Sequence, residues 1–134
     1  MDCIFCKIVA NEIPSRKVYE DSDVLAFLDI HPVNPGHTLV IPKAHHQDLL
    51  DTPPALAAKL MAVIQKLAPA VLKAVGAAAF NLGVNNGAQA GQIIFHTHLH
   101  IMPRFTSDGH KLWQGKDLGA EELGRIADNI RQNI

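Results

Sequence analysis

The chain has 134 residues and a mass of 14.6 kDa, enough for one hydrophobic core, so residues 1–134 are expected to form a single domain. Its formal net charge is −1, its sequence pI is about 6.7, and its 12 basic residues form no run. This argues against a grip on a nucleic-acid backbone or an anionic membrane. No basic, apolar leader follows Met1, and Lys59, Gln65, Lys66, Pro69 and Lys73 interrupt the apolar stretch 55–80, so neither a signal peptide nor a membrane span is expected and the expected location is cytoplasmic.

The two cysteines, Cys3 and Cys6, stand three apart at the start of the chain. A disulfide between them would close a tiny loop and stabilise little. In a reducing compartment such a pair reads as a metal half-site or a redox pair. A short helical turn is expected over 6–10, ended by Ile13-Pro14. A hairpin follows, Lys17–Glu20 and Val24–Asp29 turning at Asp21-Ser22-Asp23. Pro32, Pro35 and Gly36 make a fixed loop, and His37–Ile41 reads as a buried strand closed by Pro42, completing an antiparallel meander. Thr52-Pro53-Pro54 marks a helix start, with Thr52 as cap and Pro53 at the first helical position. Leu56, Leu60, Val63, Ile64, Leu67, Val71, Leu72 and Val75 then give the stripe of a helix covering one sheet face. Pro69 predicts a kink or a split in it, and Gly76 its end. Ala78–Val84 and Gln92–Met102 are the last two strands, joined by the polar loop Asn85–Gly91, and 120–131 has the spacing of a terminal helix.

Within the last strand, His96-Thr97-His98-Leu99-His100 carries three histidines on alternate residues. In an extended chain alternate side chains share a face about 6.6 Å apart, so the three imidazoles would line one surface while Thr97, Leu99 and Ile101 point the other way. A helix would swing His98 to the far side. Each imidazole brings two nitrogens that need partners, so such a row has no packing rationale. It suits either metal ligation or nucleophilic and acid-base work on a phosphate.

Asp29-Ile30-His31-Pro32-Val33-Asn34-Pro35-Gly36-His37, Asn85-Asn86-Gly87, and Gly91-Gln92 leading into the histidine row resemble, in order and over nearly the whole chain, the histidine-triad (HIT) nucleotide-binding superfamily. Cys3-Ile4-Phe5-Cys6 is further similar to the zinc-carrying, bacterial-type members of its adenosine phosphoramidase-like branch. The resemblance implies an α+β, HIT-like fold: an antiparallel sheet of about five strands, a long covering helix and short terminal helices.

It also implies a catalytic set. His98 would attack an α-phosphate to give a nucleotidyl-histidine that water resolves, with one nitrogen a free lone pair and the other held protonated by a backbone carbonyl. His37 and His100 would hold the non-bridging oxygens. Asp29 would bind the ribose hydroxyls and Ile30 would flank the base. Asn85, Gly91 and Gln92 would bring the loop to sugar and phosphate, with Ile93 beside them where the phosphoramidase branch often has a serine. Cys3, Cys6, His45 and His96 would hold zinc in a closed, structural tetrahedron, His46 being the alternative to His45, and no catalytic metal is implied.

The implied activity is cleavage of a nucleoside monophosphoryl group from a purine nucleoside phosphoramidate or a dinucleoside polyphosphate, by a homodimer that joins two sheets. The rival readings are a non-catalytic purine-nucleotide sensor with the same pocket and a catalytic zinc held jointly by His96, His98 and His100. His31, His110 and Trp113 receive no role.

Overall fold

A computed structural model describes residues 2–134; Met1, at which no signal peptide is expected to begin, lies outside them. Eight main elements follow one another: α1 (Ile4–Val9), β1 (Lys17–Glu20), β2 (Val24–Leu28), β3 (Thr38–Pro42), α2 (Pro54–Val75), β4 (Ala79–Gly83), β5 (Leu99–Arg104) and α3 (Ala120–Gln132). The strands form one antiparallel sheet in the order β1-β2-β3-β5-β4, the α+β arrangement expected.

Strand alternation divides the core into two layers. Val24, Ala26, Val40, Leu99 and Ile101 point to one face and meet Leu60, Val63, Ile64, Leu67, Ala68 and Val71 of α2. Leu25, Phe27, Leu39 and Ile41 point to the other and meet Phe5 and Ile8 of α1. By length and composition α2 would suffice to cross a bilayer, yet its apolar stripe is laid on the sheet. Gly76 ends it in the left-handed conformation, with φ 71°, as its position predicts.

Three local expectations are corrected. Thr52 does not cap α2: Pro53 takes the cap position with no side-chain cap bond and Pro54 begins the helix. The Thr52 hydroxyl is buried instead between Asp48 O and Thr97 Oγ1, 2.8 Å from each. Pro69 does not split α2: both Pro69 and Gln65, whose carbonyl loses its partner, lie on the exposed face of the helix, away from the core. The last strand is shorter than Gln92–Met102: β3 pairs only with Leu99, His100 and Ile101, and β5 begins at Leu99. Upstream, His96 and Thr97 are tied to the β3–α2 connection, through His96 Nε2 to Pro42 O at 2.8 Å and Thr97 N to His46 O at 2.7 Å.

Candidate active site and metal centre

The histidine row keeps one face even where the ladder stops. Leu99 and Ile101 are buried against α2, whereas His96, His98 and His100 look to the side of α1. Phe5 of α1 sets its ring edge-on to both His96 and His98, with centroids 5.9 and 5.1 Å away, and His98 and His100 lie 5.0 Å apart.

The backbone dictates which nitrogen of each ring carries a proton. His98 Nδ1 lies 2.7 Å from the carbonyl oxygen of His96, which only accepts, so Nδ1 is the N–H and Nε2 a bare lone pair. His37 is the converse case. The Val33 amide donates to His37 Nδ1 at 3.0 Å, so the proton sits on Nε2, which donates to His100 Nδ1 at 2.8 Å. His100 is thereby left with its own proton on Nε2. Burial lowers the pKa of all three rings, that of His100 to about 4 with help from His98 and His37, while the Asp29 carboxylate opposes the shift in each. At neutral pH the site therefore holds three neutral imidazoles, one offering a lone pair and one an N–H.

Asp29 accepts from the His31 amide at 2.8 Å and stands 3.6 Å from His37 Nε2. Asp29, His37 and His100 also lie within ligand distance of one another. A cation on His37 Nε2 would require the proton to move to Nδ1, against the Val33 N–H, so this group is matched to a shared proton. Ile30 is 81% exposed beside Asp29, an apolar side chain open to a ligand rather than part of the core.

A cleft of about 830 Å³ opens over His37 and His100 and reaches Asn85, Leu82 and Met102. Gly91 sits with φ 93° where a Cβ would lie 3.4 Å from the Asn85 side chain, so glycine keeps that side chain in place. Gln92 braces the loop it is expected to belong to: its buried side-chain amide accepts from Gly87 N and donates to Gln47 O and Ile94 O. Ile93 is 86% exposed.

A second cluster joins Cys3, Cys6, His45 and His96. His96 gives its Nε2–H to Pro42 O and so turns a lone pair on Nδ1 toward Cys3 Sγ at 3.5 Å, Cys6 Sγ at 3.6 Å and His45 Nδ1 at 3.2 Å; His45 Nδ1 is 3.4 Å from Cys6 Sγ. Tetrahedral zinc, with bonds of about 2.3 Å to sulfur and 2.0–2.1 Å to nitrogen, demands edges of about 3.6 Å between sulfur and nitrogen and about 3.3 Å between nitrogens. These four edges meet that demand, and all four ligand atoms lie within 4.8 Å of one another. His45 holds the ligand place, while His46 turns to Asp51 and gives its carbonyl to Thr97. Burial and the neighbouring Cys3 raise the Cys6 thiol pKa, a crowding that a bound cation would reverse.

Two groups escaped sequence reasoning. The Val33 amide has no side-chain signature, and Phe5 looks like any core aromatic until its edge is seen against two catalytic-face rings.

Comparison with known proteins decides the family. The HIT domain profile matches residues 10–107. The chain belongs to the HIT domain family. It is 47% identical over 122 residues to adenylylsulfatase HINT3 of Arabidopsis thaliana, spanning 91% of this chain and 61% of that protein. To the adenosine 5'-monophosphoramidase hnt1 of Schizosaccharomyces pombe it is 36% identical over 137 residues, covering 100% of this chain and 99% of that one. Among solved structures, a HIT family member from Bacillus subtilis superposes with a TM-score of 0.92 at 41% identity, over 100% of this chain and 98% of that one. A zinc-bound histidine triad family protein from Mycobacterium smegmatis superposes with a TM-score of 0.77 at 45% identity, over 93% of this chain and 89% of that one. The HIT membership and fold expected from the motifs are thus established, and hydrolase-named relatives support a nucleotide hydrolase.

Proposed function

We propose that this protein transfers a nucleoside monophosphoryl group, from a purine nucleoside phosphoramidate or a dinucleoside polyphosphate, through His98 and on to water. The observation that carries this reading is the tautomer pattern: a buried imidazole with a bare Nε2 beside a pair whose outward end is an N–H. His98 Nε2 forms a bond to the α-phosphorus as the bond to the leaving group breaks. His96 O steadies the cation through Nδ1–H, and His37 and His100 meet the charge on the non-bridging oxygens. Water then displaces His98 in a second step. Asp29 and Ile30 receive ribose and base, and Asn85 with Gly91 and the Gln92-braced loop approaches the phosphate. The relatives' names support the class, since adenylyl sulfate and an adenosine phosphoramidate both present an adenylyl group for transfer. Ile93 supplies no proton to a leaving amine, which favours substrates whose leaving group departs readily.

We further infer a structural zinc on Cys3, Cys6, His45 and His96, with all four positions closed to water, and no catalytic metal. The fitted edge lengths of the cluster and the proton-matched His37–His100 pair support this division. A homodimer is proposed through β4, the edge strand on which Phe80 and Leu82 stand 37% and 38% exposed. A cytoplasmic location accords with two free thiols assembled as metal ligands.

Hydrolysis of a substrate with a chiral α-phosphorothioate in isotopically labelled water, without added divalent cation, tests the reaction course. Two in-line displacements restore the configuration, so retention is expected. Inversion would mean direct attack by water. The non-catalytic sensor predicts AMP binding with no turnover of either a phosphoramidate or a dinucleoside polyphosphate.

A further inference from the structure

The segment after β5 is fastened to the catalytic loop by a network to which no role has been attached. Asp108 receives the Arg104 guanidinium on both oxygens, at 2.7 and 3.0 Å, together with the amides of Phe105 and His110 at 3.1 Å and the side-chain amide of Asn34 at 2.9 Å. These donors hold its carboxyl far below the usual carboxylate range, the Arg104 bond first among them. Arg104 also donates to His110 O at 2.9 Å. The His110 backbone is therefore clamped on both sides, which gives an exposed side chain a defined direction. That side chain donates from Nε2 to the carbonyl oxygen of Val33 at 2.8 Å.

Val33 is the residue whose amide selects the tautomer of His37. The N–H and C=O of Val33 lie in successive peptide planes that meet at its Cα, so holding both, the N–H by the His37 ring and the C=O by His110, leaves the residue little freedom in φ and ψ. Asn34, next in sequence, is anchored separately through Pro103 O and Asp108, and accepts from the His37 amide at 3.1 Å. Loss of the His110 bond would thus free the Val33 residue to turn without unfastening the loop. Once the Val33 N–H drifts from His37 Nδ1, that ring is free to take the other tautomer. Its Nε2 would then have no proton to give, and His100 Nδ1 would lose its donor.

We propose that His110 is a positioning residue of the active site: by holding the Val33 carbonyl it keeps the Val33 amide on His37 Nδ1, and so keeps the chain Val33 N–H to His37, His37 Nε2–H to His100, ending in an N–H presented to the substrate phosphate. The proposal rests on the reading of His37 and His100 as the phosphate-side histidines. It adds a residue on the wall of the cleft that acts through Val33 and His37, and it explains why a histidine stands on this side of the loop.

The test is direct observation of imidazole tautomers. In uniformly ¹⁵N-labelled protein at about pH 8, where the rings are neutral, two-bond proton–nitrogen correlation separates the Nδ1–H from the Nε2–H form. The wild type is expected to show His37 wholly as Nε2–H. His110→Ala is expected to show a mixture at His37 and, at saturating nucleotide substrate, a kcat reduced about fivefold to tenfold with KM changed less. His110→Gln, which keeps a donor of similar reach, is expected to restore both. An unchanged single His37 tautomer in His110→Ala would overturn the proposal, as would failure of His110→Gln to restore it. The tautomer readout is independent of turnover: absence of activity in the wild type against every substrate would remove the transferase reading while the His37 spectrum still decides the role of His110.

Discussion

Single residues here act through the direction in which they give or withhold one proton. His98 has nothing in its side chain that distinguishes it from His96, yet one carbonyl leaves it a bare Nε2, as the proposed nucleophile needs, and another leaves His96 a bare Nδ1, as the proposed metal ligand needs. The same economy governs Gly36, which precedes His37 with φ 89° where a Cβ would stand 3.0 Å from Val75 and 3.1 Å from Pro103. Gly36→Ala meets both a left-handed backbone and two packed side chains, so a loss of about 2 kcal/mol in urea unfolding is expected. A change below about 0.5 kcal/mol would show that the Pro35–His37 turn yields freely. The alternation of His96, His98 and His100, the Pro-Gly-His turn and the acidic residue at 29 were all legible because they are side-chain patterns. The tautomers were not, since Val33 N–H and His96 O are main-chain groups that every residue owns.

At the scale of elements, α1 links the two sites. Six residues long, it carries Cys6, has Cys3 as its cap through the Cys6 N–H to Cys3 Sγ contact at 3.4 Å, and buries Phe5 between them against His96 and His98. Such a short helix has little stability of its own. Metal on the cysteines would fasten it, and with it the edge of Phe5 on the nucleophile. For Cys3→Ser/Cys6→Ser, elemental analysis is expected to find the metal lost, against one zinc per chain in wild type, and thermal unfolding is expected to begin several degrees lower. Full zinc content in the double variant would place the metal elsewhere. Most elements announced themselves through periodicity and breakers: β1, β2, β3, α2 and α3 lie within a residue or two of where apolar spacing and proline or glycine put them. The early end assigned to β5 had a different cause. Residues 92–98 are apolar enough to read as strand, but the chain bends at 94–96 and its hydrogen bonds go to the 42–52 connection, a long-range choice that spacing does not encode.

The whole molecule stores its chemistry as buried neutral imidazoles, and stability must register it. Unfolded histidines titrate near pH 6.5, whereas burial lowers His37 and brings His100 to about 4. Below about pH 6.5 the unfolded chain therefore binds protons that the folded chain refuses. The contribution is fully present above that pH and is lost as pH falls toward 4, by at most about 1.4 kcal/mol per pH unit for each ring. Urea unfolding across this window is expected to show the decline, and His100→Gln to show less of it. A flat profile from pH 7 to 4.5 would mean that the rings are not held neutral. The sheet order and the two-layer core follow from alternation and helix length, and were within reach of the sequence. Leu123, Ile126 and Ile130 stand exposed on α3, and alternation and helix length give no account of them.

The central claim is that His98 becomes covalently bound to the nucleotide. The most direct measurement is mass spectrometry of enzyme denatured in alkali within the first turnovers on an adenylyl substrate, followed by peptide mapping. One adenylyl group per active chain is expected, located on His98 and missing in His98→Ala, which still binds AMP. Efficient turnover with no adduct at any quench time, or His98→Ala turning over within about tenfold of wild type, would contradict it.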